Sequence, residues 1–196
     1  MIKPILLKFI YTLFLISNFI LSSEWIYQAD LLETFTKNNK EIKELDGNVI
    51  IKKDDIILTT NKAIIYSNED KLELFNDIVM ISNQDTIYCD SLYYFSSSIN
   101  KEYLIALGSI NLVSNNRTLT SDSLYFWPQN DSVYAVGNVY LDDGESTLSS
   151  RALRYWTTSG YNGYSFVAND NVVLESSNYR AQGKIIAYTD SLQYLT

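Results

Sequence analysis

At 196 residues, with 46% hydrophobic residues, 16 Tyr and only two Pro, the chain has room for one domain with a sizeable apolar interior, rich in side chains that fit a pleated surface. A net charge of −8, with the basic residues dispersed among more numerous carboxylates, argues against binding a phosphate backbone. The sequence has no His, which removes every His-dependent triad and the commonest metal ligand, and the single Cys89 cannot form an internal disulfide.

The first element is an export signal. Lys3 and Lys8 accompany a run from Ile5 to Leu21 rich in Ile, Leu and Phe, and Ser22 and Ser23 precede the polar Glu24. This reads as a signal peptide over residues 1–23, followed by a mature domain of residues 24–196. An uncleaved membrane anchor is the alternative, because the run approaches the roughly twenty residues needed to span a bilayer.

A repeat follows. The segments beginning at Gly47, Asn76, Gly108, Gly137 and Asp170 align without gaps, with starts 29, 32, 29 and 33 residues apart. The third and fifth residues of each are apolar: Val49 and Ile51, Ile78 and Met80, Ile110 and Leu112, Val139 and Leu141, Val172 and Leu174. Alternation of this kind puts one row inside and one outside. The parity extends backwards through pairs such as Leu72 and Leu74, so each repeat opens with a strand of about nine residues. Gly, Asn or Asp at its centre predicts a kink there.

After a short polar loop, a second strand reads Thr86 to Tyr94, Thr118 to Phe126 and Thr147 to Tyr155 in three of the copies. Its inward candidates are Ile87 and Leu92, Leu119, Leu124 and Phe126, and Leu148 and Leu153. The first copy, with Leu58, Ala63, Ile64 and Tyr66, fits with one inserted residue. The fifth fits as Asp190 to Tyr194 after a loop six residues longer, or without a gap through Ile186 and Tyr188. Gln28 to Leu32 forms a leading half repeat. Together these give a mainly β fold of five tandem two-strand repeats of about 30 residues, about eleven strands stacked on their sequence neighbours.

Asp30, Asp90, Asp122 and Asp190 recur at one repeat position, where other copies carry Asn61 or Lys62 and Arg151. No Gly-rich calcium signature accompanies them, and a strand bend or solvated edge accounts for them. Cys89 occupies a slot that holds Thr60, Ser121 or Ser150 elsewhere, which calls for a small side chain. Asn116 and Asn130 head chance-level glycosylation sequons, and Pro128 after Trp127 ends a strand. No catalytic constellation, cofactor site or metal site is expected.

The Gly-Asn-Val strand, the Asp-Ser-Leu-x-Tyr strand and the x-Ala-x-Gly-Asn-Val return resemble the OstA-like family of lipopolysaccharide-transport proteins over residues 26–196. The Tyr-Cys-Asp-Ser-Leu signature at Tyr88 to Leu92 is the closest match. The resemblance implies a β-jellyroll folded like a half-open taco in the periplasm. Its apolar rows would hold the acyl chains of lipopolysaccharide or a related lipid, and its ends would pair strand to strand with other OstA-like domains or with copies of itself. The chain departs from the family in its acidity and its many Tyr. The repeats alone equally allow a closed β-solenoid serving as an adhesin or spacer. A polysaccharide lyase would need acids and bases clustered on one face, and none is visible.

Overall fold

The computed structural model describes residues 25–67, 71–82, 85–96, 103–115, 117–127, 132–156 and 166–188. The N-terminal run of residues 1–23, the sequon positions Asn116 and Asn130, Pro128 and the segment Asp190 to Tyr194 lie outside these. Among the described residues no helix is long and apolar enough to cross a membrane.

Twelve antiparallel strands form one sheet: β1 (Ile26–Gln28), β2 (Leu31–Lys37), β3 (Lys40–Lys53), β4 (Ile56–Tyr66), β5 (Lys71–Ser82), β6 (Asp85–Phe95), β7 (Tyr103–Ser114), β8 (Arg117–Trp127), β9 (Ser132–Asp142), β10 (Ser146–Trp156), β11 (Phe166–Ser176) and β12 (Tyr179–Tyr188). From β4 onward each strand pairs only with its sequence neighbours. β1 and β2 lie end to end along the same edge of β3, opposite Ile50–Lys52 and Lys40–Asp46 respectively. They make one interrupted rung beside the ten strands β3 to β12 of the described residues.

Every odd strand from β3 to β11 breaks where the sequence places Gly, Asn or Asp. Two successive residues there have positive φ: Gly47 and Asn48, Asn76 and Asp77, Gly108 and Ser109, Gly137 and Asn138, Asp170 and Asn171. The register shifts across each of these breaks, with one extra residue on the odd strand, the signature of a β-bulge. Gly takes this left-handed conformation freely and Asn and Asp tolerate it, which explains the restricted choice of residues. The bulges lie side by side and fold the sheet along a common line into two arms. Arm one contains β1, the C-terminal halves of odd strands and the N-terminal halves of even ones; arm two contains β2 and the complementary halves.

The even strands answer the bulge by changing parity. In β6 the inward residues are Ile87 and Cys89 before the bend but Leu92 and Tyr94 after it, all buried. The carbonyls disturbed at the bend find hydroxyl partners. Thr60 Oγ1 donates to the Phe75 carbonyl at 2.7 Å or the Asn76 carbonyl at 3.0 Å, while Ser121 and Ser150 reach the carbonyls of Ser123 and Ala152, both at 3.1 Å. The slot shared by Thr60, Cys89, Ser121 and Ser150 is therefore buried and small, as the sequence suggests. Burial, reinforced by the neighbouring Asp90, pushes the Cys89 thiol up to about 12, so it stays protonated at neutral pH.

Two expectations about register require correction. β4 needs no insertion: Leu58 and Ala63 stand five residues apart, as Ile87 and Leu92 do, and pair with Met80 and Leu74 just as those do. The fifth copy needs no longer loop either. β12 runs from Tyr179 and sets Ile186 opposite Ala168 and Tyr188 opposite Phe166, the ungapped alternative. Lys184 then occupies the bend position at which the sequence motif places Asp190, because Lys184 stands in place of the Asp in this copy.

Candidate functional site

The inner faces of the two arms enclose one apolar cluster. Val49, Ile51, Leu58, Ile78, Met80, Ile87, Ile110, Leu112, Leu119, Val139, Leu141, Leu148 and Val172 line it from arm one, while Leu92, Leu124, Phe126 and Leu153 do so from arm two. Each of these is between 0% and 8% exposed, so the row is packed shut in this conformation. Leu174 differs: it is only partly buried, beside the edge strand β12.

The two ends of this interior differ in their residues, although those at both ends are partly buried. At the β1 end, Trp25 from arm one meets Tyr94 from arm two edge to face at 5.7 Å. The Lys43 ammonium of arm two lies 5.5 Å from the Tyr27 ring centre of arm one, and Lys53 covers Trp25. Aromatic faces and ammonium groups thus plug the interior there. At the β12 end, Leu174, Ile186 and Tyr188 are only partly covered.

The outer margins of the arms, where the hairpin loops lie, also differ in polarity. The buried inward residues at the margin of arm two are Tyr94, Leu104, Phe126, Val133 and Phe166, aromatic or aliphatic with a hydroxyl at Tyr94. The corresponding row on arm one carries Ser82, Asp85, Ser114 and Ser146, each at most 5% exposed. Ser82 pairs with Asp85 and Asp85 with Ser114 across adjacent strands. Neither Asp85 carboxylate oxygen has a hydrogen-bond partner, and the Ser114 hydroxyl has none. The sequence reading passed over this residue, although Asp85, Ile87 and Cys89 alternate with inward parity and an acid on such a row is itself the signal.

Burial pushes the Asp85 carboxyl above its ordinary 3.8, while Ser114 stands close enough to temper the rise without completing a bond of normal geometry. A raised folded-state value means that the contribution of Asp85 to stability is fully present below about 3.8 and is lost as pH climbs through the higher folded value. Asp85→Asn is therefore expected to exceed the wild type in urea stability by about 1–3 kcal/mol at pH 7, the cost of an unsatisfied buried group. The two should coincide at pH 3. An equal difference at both values would show that Asp85 is not desolvated as described.

Of the recurring acids, Asp30, Asp90 and Asp122 lie among the described residues, sit on the bend and have a packing role. A Cβ added to Gly47 would lie 2.6 Å from Asp30 Oδ2, and at Gly108 and Gly137 it would meet Asp90 and Asp122 closer still. Asn48 donates to Asp30 at 2.8 Å and Asn138 to Asp122 at 3.1 Å. The two bends without Gly, at Asn76 and Asp170, face Asn61 and Arg151 instead. Asp thus occurs where the next strand leaves room for it. Among the described residues no group of three or more acids, Cys or His converges to hold a metal.

The outer face of arm two carries Tyr103, Tyr125 and Tyr134 among other aromatic rings. Phe95 stacks on Tyr103 at 4.6 Å, Tyr125 on Trp127 at 6.0 Å, and the exposed Arg154 guanidinium lies 4.7–5.9 Å from the ring centres of Tyr134, Trp127 and Trp156. Such cross-strand ladders stabilise a sheet exterior.

Comparison with known proteins matches residues 23–184 to the family described as OstA-like protein. No curated protein matches the chain. Among solved structures, the chain is similar to LptH, described as the LptA-homologous periplasmic component of the conserved lipopolysaccharide transport device from Pseudomonas aeruginosa. Identity is 11% over 76% of this chain and 83% of that one, with a TM-score of 0.31. With the family match covering most of its length, the chain belongs to the OstA-like family.

Proposed function

We propose that this protein is a periplasmic lipopolysaccharide-transport component that holds lipid acyl chains between its two arms and joins a bridge between membranes by end-to-end strand pairing. The observation that carries the reading is the unbroken apolar row along the inner faces of one folded sheet, bordered at its two ends by partly buried residues, Trp25 and Tyr27 at the β1 end and Ile186 and Tyr188 at the β12 end. Parting the arms would convert this packed row into a greasy groove without breaking any strand pair. Membership of the OstA-like family supports the same assignment.

The edges support assembly. Every residue of β2 is exposed, including Leu31, Leu32 and Phe35, and at the opposite edge Ile185 of β12 is 59% exposed. Unpaired strand edges of this kind invite β-augmentation, and a head-to-tail contact builds open chains. The shut interior favours one other reading, a closed β-solenoid adhesin or spacer that binds no lipid.

A photocrosslinking residue tests the two. At Leu124 or Leu141, both inward, it is expected to capture lipid in cells; at Asn111 or Arg154, both on outer faces, it is not. Equal capture at both sets, or no lipid at any site together with a strict monomer in sedimentation, favours the closed solenoid.

A further inference from the structure

A buried carboxyl without a partner is costly, so its presence calls for an explanation beyond packing. Asp85 is 2% exposed, points inward, and leaves both carboxylate oxygens unsatisfied. The fold does not demand an acid there. The equivalent first positions of β4, β8 and β10 hold Ile56, Arg117 and Ser146. Its cross-strand neighbours Ser82 and Ser114 extend the polar surface to three adjacent strands, at the margin of an otherwise apolar lining. The Ser114 hydroxyl, though near Asp85, completes no hydrogen bond of normal geometry either. Cross-strand neighbours of this kind stand about 5 Å apart, close enough for one small polar group to reach two of them.

We propose that Asp85, with Ser82 and Ser114, is a hydrogen-bonding station for an amphiphile whose alkyl chain occupies the interior, and that it takes an O–H or N–H donor carried at the polar end of that chain. The inference rests on the lipid reading above and adds the class of head group selected. Orientation follows from the polarity of the two margins. The buried carboxyl and its serine neighbours lie on arm one, whereas the arm-two margin is mostly aromatic and aliphatic with a phenol at Tyr94, so the donor end of the ligand belongs against arm one and the tail runs inward past Ile87 and Leu112, which pair across β6 and β7. An amphiphile with the same chain but no donor would leave the carboxyl as unpartnered as it is without ligand.

The test uses the mature chain with dodecan-1-ol and its methyl ether, a pair matched in chain but differing in the donor, measured by displacement of a fluorescent apolar probe. Wild type is expected to bind the alcohol about three- to tenfold more tightly than the ether, the worth of one well-placed hydrogen bond. Asp85→Leu should abolish that preference while binding the ether at least as well, and thermal unfolding should show it no less stable than wild type. Asp85→Asn, which keeps an acceptor, should retain part of the preference. A preference that survives in Asp85→Leu, or no preference in wild type, overturns the proposal and leaves the lipid reading standing. Failure of wild type to bind either compound overturns both.

Discussion

Gly137→Ala is expected to destabilise the protein by about 2–5 kcal/mol. Gly137 has φ of +79°, where an L side chain costs about 1–2 kcal/mol. The added methyl would also overlap the Asp122 carboxylate, whose hydrogen bonds from Asn138 hold β8 to β9 at the bend. Displacing a packed group of this kind adds about 1–3 kcal/mol. The two contributions separate in a double-mutant cycle. In an Asp122→Gly background, which also removes the Cβ that the methyl would meet, the overlap disappears and only the backbone strain remains, so Gly137→Ala should then cost about 1–2 kcal/mol. Urea unfolding of the four proteins measures this, and an identical cost in both backgrounds would show that the Asp–Gly contact is incidental.

Leu112→Ala is the second large effect, about 2–5 kcal/mol in lipid-free protein. Leu112 is fully buried at the centre of arm one, paired with Ile87 and Leu119, and its neighbours are held by strand pairing on both sides, so the cavity cannot collapse. The same substitution bears on function. A ligand chain that enters the interior fills the space the side chain left, so a saturating long-chain amphiphile should raise the melting temperature of Leu112→Ala more than that of wild type. A smaller rise in the variant would argue that ligand, if bound, lies elsewhere.

Much of this architecture is written in the sequence, because period-2 alternation on the odd strands survives the bulge. Leu74 and Ile78 are four residues apart and both face inward, so a single parity describes the whole strand. The even strands are harder to read. Their inward parity reverses between Cys89 and Leu92, a reversal visible only as the Asp-Ser-Leu motif, and where that motif is replaced by Asn61-Lys62-Ala63 or Lys184-Ile185-Ile186 the reading inserted residues that are not there. The pairing of Asp122 with Gly137 joins positions fifteen residues apart whose relation depends on register, so the Asp looked solitary. The closure of the interior is a property of two facing arms, which no pattern along one strand encodes. All but one of the inward residues expected to line a groove are buried, and Leu174 is less covered because only the edge strand β12 lies beyond its own strand.

Strand pairing in this sheet is almost purely between sequence neighbours, each bend repeats the last, and no rung depends on a distant one for its hydrogen bonds. Length is therefore a free variable of the design. One repeat adds two strands and, at about 4.8 Å per strand, lengthens the enclosed channel by about 10 Å. Its cross-section stays unchanged, because that is set by the five or so residues on either side of each bulge. Deleting Gly108 to Val136, one repeat cut from bulge to bulge, removes such a segment while joining like to like at Leu107 and Gly137. A protein built this way can match the distance it has to cover by counting repeats, in steps of about a nanometre.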